Sequence, residues 1–141
     1  MLIKLACVRN PGIMNNGSTW SYHRLRKNLG LKVCVRGTEK ERDLAYRIQR
    51  IAAKKKIGPR AYGKVTVESG GETYYGYITE HAEVCTSADS RKEEFMVFVR
   101  FLSDKYKVCD IGCYNVGKLH GKFVFLDFEY WDWKLILGEE E

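Results

Sequence analysis

The 141-residue sequence contains two prolines, no Cys-x-x-Cys pair, no internal repeat, no low-complexity linker and no long apolar run. Each absence narrows the field. Without an apolar run of about 18 residues, no membrane span is expected. The opening MLIKLACVRNPG interrupts its apolar part too early for a secretory signal. Five cysteines, an odd number, complete neither a disulfide framework nor a zinc set, because Cys109-x3-Cys113 finds no further Cys or His pair. Free thiols in a reducing cytoplasm are the resulting expectation. His23, His81 and His120 stand in no triad-like or metal-like spacing and read as surface or turn residues. Scarce proline, with 45% hydrophobic and 13% aromatic residues, excludes a disordered chain. At this length one domain with a continuous core is expected.

What is present is positive charge. The formal charge is +6, which favours polyanionic partners: nucleic acid, nucleotide phosphates or an acidic protein surface. It is unevenly placed. Arg42, Arg47, Arg50, Lys54, Lys55, Lys56 and Arg60 fall within nineteen residues, whereas the sequence closes on three glutamates. This basic face reads as a solvated helix surface, with a nucleic-acid-binding patch as the alternative.

Hydrophobic periodicity places the elements. STWSYHRLRKN and LGLKVCVRG alternate, the second with Leu31, Val33 and Val35 on one face, and predict two antiparallel strands joined near residues 27–30. Thr38-Glu39-Lys40-Glu41 has the spacing of a capping box. It predicts a helix presenting Leu44, Ile48 and Ile51 and stopping at Gly58-Pro59. AYGKVTVES and TYYGYITEHAEV follow as strands joined by Gly70-Gly71. A polar stretch, residues 86–91, leads into a second helix, EEFMVFVRFLSDKY, with Phe95, Phe98, Val99 and Leu102 as its apolar stripe. A last hairpin turns at His120-Gly121 before a short aromatic tail. The order strand-strand-helix-strand-strand-helix-hairpin predicts an α+β fold with antiparallel sheets. Tyr74, Tyr75, Tyr77, Trp131 and Trp133 read as core and sheet-packing residues rather than base-stacking platforms.

Within CDIGCYNVGKLHGKFVFLDFEYW, residues 109–131, Asp110 and Asn115 stand five apart after the second helix, and Asp127-Phe128 follows the hairpin. Phosphoryl transfer needs a carboxylate near the accepting hydroxyl and hard oxygen ligands for magnesium. A loop with Asp and Asn at this distance can direct one to substrate and the other to metal, and a hairpin returns a second carboxylate. This pattern resembles the His-Arg-Asp-x-x-x-x-Asn loop and Asp-Phe-Gly segment of protein kinases, particularly the small kinase-like proteins of bacteriophages and viruses. The resemblance covers residues 15–130. It implies a single kinase-like domain, with residues 15–85 resembling the N-terminal lobe and residues 86–141 a minimal C-terminal lobe of one helix plus a hairpin. It implies Gly17 and Ser18 in a reduced glycine-rich loop and Lys32 as the nucleotide-pairing lysine, with Glu41 on the helix that supplies its partner. Glu80 falls in the strand running into an adenine-binding hinge, Asp110 is the catalytic aspartate, and Asn115 and Asp127 bind Mg2+ beside ATP.

The sequence also departs from that pattern. One glycine replaces three in the first loop, Val108-Cys109 replaces His-Arg, Gly112 stands where related small kinases often carry histidine, and Glu129 replaces the final glycine. Twelve residues follow Glu129, which leaves no room for an activation segment or a large helical lobe. Bland readings stand beside the sharp ones. Asp110 and Asn115 serve equally as turn residues. Asp127 is exposed, paired or metal-bound. Lys32 is a strand lysine, and Glu41 is occupied by its capping box. Three functions are therefore in play. The first is an ATP-dependent phosphotransferase acting on a host protein, completed by a homodimer or docking partner. The second is a non-catalytic kinase-like module that binds and inhibits a host protein or nucleic acid. The third is a small basic nucleic-acid-binding domain.

Overall fold

The structure, a computed structural model, describes residues 1–6, 8 and 20–139. The fold is α+β, and the chain divides into two compact units. The first comprises Met1–Tyr46 and Ala61–His81, the second Arg47–Arg60 and Ala82–Glu141. Among the described residues no helix is long and apolar enough to cross a membrane.

The first unit holds a five-stranded sheet. Its strands are β1 (Leu2–Lys4), β2 (Trp20–Arg26), β3 (Leu29–Cys34), β4 (Ala61–Ser69) and β5 (Glu72–Glu80), in the order β1-β4-β5-β3-β2. The two expected hairpins form. β2 and β3 pair antiparallel, with a register shift between Arg24 and Arg26. β4 and β5 turn through Gly70 and Gly71, whose φ angles of 58° and 80° admit glycine without strain. The expectation of an entirely antiparallel sheet is corrected by β1, which pairs parallel with β4, Leu2 opposite Thr66. A three-residue strand carries too little periodicity to be read, and its partner lies far along the chain. Alternation sends Leu31, Val33, Val65 and Val67 into one buried cluster, against which Ile3, Val35 and Tyr74 pack.

Helix α1 (Glu39–Lys54) begins with the predicted capping box: Thr38 Oγ1 accepts the Glu41 N–H at 3.2 Å, and Glu41 Oε1 accepts the Thr38 N–H at 3.4 Å. Arg42 does not belong to the basic surface where the charge count placed it. It is 5% exposed, and its Nη1 donates to the carbonyls of Val65 at 2.8 Å and Gly76 at 3.0 Å. Nε donates to Asp43 at 2.7 Å, and the guanidinium lies 5.3 Å from the Tyr75 ring centroid. A guanidinium has five donors in a fixed fork, so it serves sheet carbonyls and a carboxylate together.

The second unit is built on a three-stranded sheet of β6 (Glu83–Val84), β7 (Val116–Leu119) and β8 (Lys122–Phe125). The single strand expected from Thr73 to Val84 is thus two: β5 stops at Glu80, and β6 pairs with β7 instead. β7 and β8 turn at His120 (φ 52°) and Gly121 (φ 77°), as expected from the sequence. The second half of α1 stops before Gly58, where a Cβ would fall 2.6 Å from the Phe128 ring. Ile48, Ile51 and Ala52 join Phe95 and Leu102 of α2 (Glu93–Tyr106), Phe125, Phe128 and Ile136 in one core. Trp133, in the short helix α3 (Tyr130–Trp133), is fully buried among them, with ring centroids of Phe125 and Phe128 at 5.2 and 5.0 Å.

Asp89 ties the turn before α2 to the sheet. It is 4% exposed and accepts the Thr86 N–H at 2.9 Å. Lys118 and Lys92 meet it at 2.9 and 3.2 Å. The Thr86 backbone donor, then the lysines, hold its carboxyl well below the ordinary range.

Two predictions follow from these buried charges. Arg42→Leu removes charge-assisted bonds to two strands and should lower stability by about 2–4 kcal/mol. Arg42→Lys should recover less than half of that, because an ammonium cannot reproduce the fork. Urea denaturation checks this through a lower midpoint at unchanged slope. Asp89 has a folded-state pKa below its unfolded value, so its stabilisation is present at neutral pH and lost as pH falls through the carboxylate range. The Tm gap between wild type and Asp89→Asn should therefore be widest near neutrality and close toward acid, as melts from pH 7 to pH 3 would register.

Candidate functional site

The Asp110–Asn115 turn is positioned by the end of α2. Lys107 ends the helix in the left-handed region (φ 60°), its N–H donating to the Ser103 carbonyl at 3.0 Å, and Val108 then anchors the chain in the core. Asp110 is also left-handed, φ 55°, a conformation that aspartate tolerates better than most residues. A 3₁₀ turn, Cys113–Asn115, leads into β7.

The Asp110, Tyr114 and Asn115 side chains all bond within this turn. Asn115 Oδ1 accepts the Gly112 N–H at 3.0 Å, and Asn115 Nδ2 donates to the Asp110 carbonyl at 3.0 Å. The Asn115 N–H donates to the Gly112 carbonyl at 3.1 Å, and the Asn115 carbonyl accepts from Leu126 at 2.9 Å. Tyr114, 58% exposed, donates its hydroxyl to Asp110 Oδ1 at 2.5 Å and lies 3.0 Å from the Asp110 carbonyl. Gly112 lies under that ring: a Cβ there would stand 2.5 Å from Tyr114 Cε1, so a larger residue would have to move the tyrosine.

Asp127 is exposed just beyond β8, while Phe128 behind it is buried against Phe125 and Trp133. Its charge reaches Tyr114, whose hydroxyl is pushed up to about 12 by the hydrogen bond to Asp110, then by burial and by the charges of Asp110 and Asp127. One phenol thus stands in the field of both carboxylates. Glu129 adopts an ordinary extended backbone (φ −75°, ψ 146°), so no glycine is needed at this position. Its carbonyl accepts the N–H groups of Asp132 and Trp133 and starts α3.

The remaining candidates lie in the first unit. Lys32, on β3 opposite Tyr77, holds its ammonium 5.6 Å from that ring centroid, and Trp20 and Tyr46 meet the same ring edge-on. Glu41 is engaged with Thr38 at the helix start. Glu80 closes β5 opposite Leu29, and the following His81 donates its backbone N–H to the Asn28 carbonyl and meets the Tyr22 hydroxyl at 2.6 Å. Gly17 and Ser18 lie outside the described residues. The structure therefore gathers Asp110, Asn115 and, electrostatically, Asp127 around Tyr114. Tyr114 was missed in the sequence because a tyrosine in a turn gives no motif; its i+4 spacing from Asp110 was the available signal. Among the described residues no group of three or more His, Cys, Asp or Glu side chains is arranged to hold a metal ion. The described cysteines are free thiols, and burial pushes that of Cys85 up.

The Asp110–Tyr114 bond makes a direct prediction. Asp110→Asn removes the largest cause of the raised tyrosine pKa, so Tyr114 should titrate close to the ordinary value of 10.0 instead of about 12. NMR of ring-labelled tyrosine across alkaline pH reads this residue separately. A Tyr114 titration unchanged by the substitution would show that the bond does not form in solution.

No family model matches this chain, and no curated protein matches it either.

Proposed function

We propose that the chain is a kinase-like binding module in which the loop resembling a catalytic loop is structural, and which does not transfer phosphate. Support for the kinase-like part comes from the order of elements: two strands, a helix and two strands, then a helix, an Asp–Asn turn, a hairpin and Asp127-Phe128. The observation that carries the non-catalytic part is the state of Asn115. Both ends of its amide are bonded within the turn, to the Gly112 N–H and the Asp110 carbonyl. A magnesium ion would have to share that oxygen with the Gly112 N–H or pull it away from the turn. Asp110 is engaged in the same way, since its Oδ1 accepts the Tyr114 hydroxyl, a bond that an acceptor hydroxyl would have to share or displace.

A second reading, the ATP-dependent phosphotransferase, draws on one specific observation. Asp127 is exposed and acts on the same tyrosine as Asp110, so two carboxylates do converge on one small surface. In that reading Asp127 and Asn115 bind Mg2+, Lys32 meets the phosphates of ATP, and Asp110 orients the acceptor. The nucleic-acid reading keeps Arg47, Arg50 and Lys54, spaced i, i+3 and i+7 along α1, but loses Arg42 to the interior.

Calorimetric titration with ATP, with and without magnesium, separates the first two. The expected result is no magnesium-dependent binding at millimolar ATP, and no label transferred from γ-phosphate. Magnesium-dependent binding abolished by Asp127→Asn, with transfer abolished by Asp110→Asn, would replace this proposal with the phosphotransferase.

A further inference from the structure

The second unit carries an open-sided trough of about 800 Å³ that the Asp110 turn does not use. Val97, Phe98 and Phe101 of α2 form one wall, and Phe123 of β8 faces them. This wall is apolar where solvent reaches it: Val97 is 59% and Phe101 43% exposed, with Met96 also exposed beside them. An apolar groove beside exposed helix residues is a surface that can seat the apolar side chains of a partner helix. Val97 and Phe101 stand one helical turn apart, so they form a ridge rather than scattered contacts.

The rim has a definite sign. Lys92, Lys118 and Lys122 border the trough, against one lining carboxylate, Glu94. Asp89, nearly buried, bridges Lys92 and Lys118 and fixes where their ammonium groups stand. Lys122 sits at the hairpin turn, away from that bridge. Glu83, opposite Lys118 on the neighbouring strand, is a third carboxylate near the rim, and Lys105, its ammonium 5.8 Å from the Phe101 ring centroid, is a fourth cation, so the positive excess lies toward Phe101 and Lys122. A second copy of this chain is a poor occupant, since it brings the same lysines and a net charge of +6.

We propose that this trough docks an acidic amphipathic helix of a partner protein, with apolar anchors against Val97, Phe101 and Phe123 and carboxylates toward Lys118 and Lys122. The span along α2 from Lys92 to Phe101 is about 14 Å at 1.5 Å per residue, the length over which a helix presents anchors at i, i+4 and i+7. The inference rests on the binding-module reading only in taking the occupant to be a macromolecule; its geometry lies wholly within the second unit.

The test uses the whole chain and a fluorescein-labelled synthetic helix of about four turns. The helix has leucines at i, i+4 and i+7 and flanking glutamates; a twin replaces every glutamate by lysine. Fluorescence polarisation should show saturable binding of the acidic helix, at least about tenfold weaker for the lysine twin, and weakening with added salt. Val97→Asp and Lys122→Glu should each cost about tenfold or more, equivalent to 1.4 kcal/mol, while Lys27→Glu in the first unit changes nothing. Both trough substitutions are at exposed positions, and unchanged circular-dichroism melts would establish that these variants fold.

Equal binding of the two helices, no binding of either, or equal loss in Lys27→Glu would overturn the proposal. So would a concentration-dependent dimer in sedimentation equilibrium that Val97→Asp abolishes, because the trough would then be filled by a second copy. The nucleotide measurements are independent of these: phosphate transfer would displace the binding-module reading while leaving the helix titration to stand or fall alone.

Discussion

The buried guanidinium of Arg42 is the constraint on which the assembly of the first unit rests. Burying a cation is costly unless its donors are satisfied, and here they reach two strands at once. Val65 and Gly76, whose carbonyls it holds, are register partners across β4 and β5. Gly76 in turn admits β3 at close range, since a Cβ on it would stand 2.4 Å from the Lys32 carbonyl oxygen. The first turn of α1 is thereby keyed to one point on the sheet. Farther along, the same helix contributes Ile48, Ile51 and Ala52 to the core of the second unit.

Local chemistry was legible in the sequence wherever it is self-contained. Gly70-Gly71 and His120-Gly121 mark two-residue turns because positive φ at both positions is a local demand. Thr38 and Glu41 announce a helix start because each satisfies the other's backbone donor. The stripe of α2 was readable for the same reason, and Phe95 and Leu102 are indeed buried. What escaped depends on partners distant in sequence. β1 is defined by β4, β6 by β7, and Arg42 by carbonyls 23 and 34 residues away. A count of basic residues cannot distinguish an arginine that faces water from one that holds a sheet.

The candidate site shows the same division in sharper form. Asp and Asn five apart have the same oxygen and nitrogen atoms whether they bind a metal or fold a turn, so spacing alone leaves both uses open. What decides between them is the occupancy of each atom, and that depends on Gly112 and Tyr114, residues with no motif of their own. The Tyr114 phenol donates to Asp110 and lies in the field of Asp127, so its own ionisation is disfavoured by both carboxylates.

β2 is the outer strand of its sheet among the described residues, and it ends in a register shift between Arg24 and Arg26. Arg24 folds back along the chain, donating from Nε to the Arg26 carbonyl at 3.3 Å and from Nη2 to the Lys27 carbonyl at 2.9 Å. Those two acceptors are already engaged, and the shift disturbs the spacing that an incoming strand would need. Charged side chains and a broken register at the end of β2 make it a poor template for an added strand, so this arginine guards the sheet edge locally, where net charge acts only at a distance.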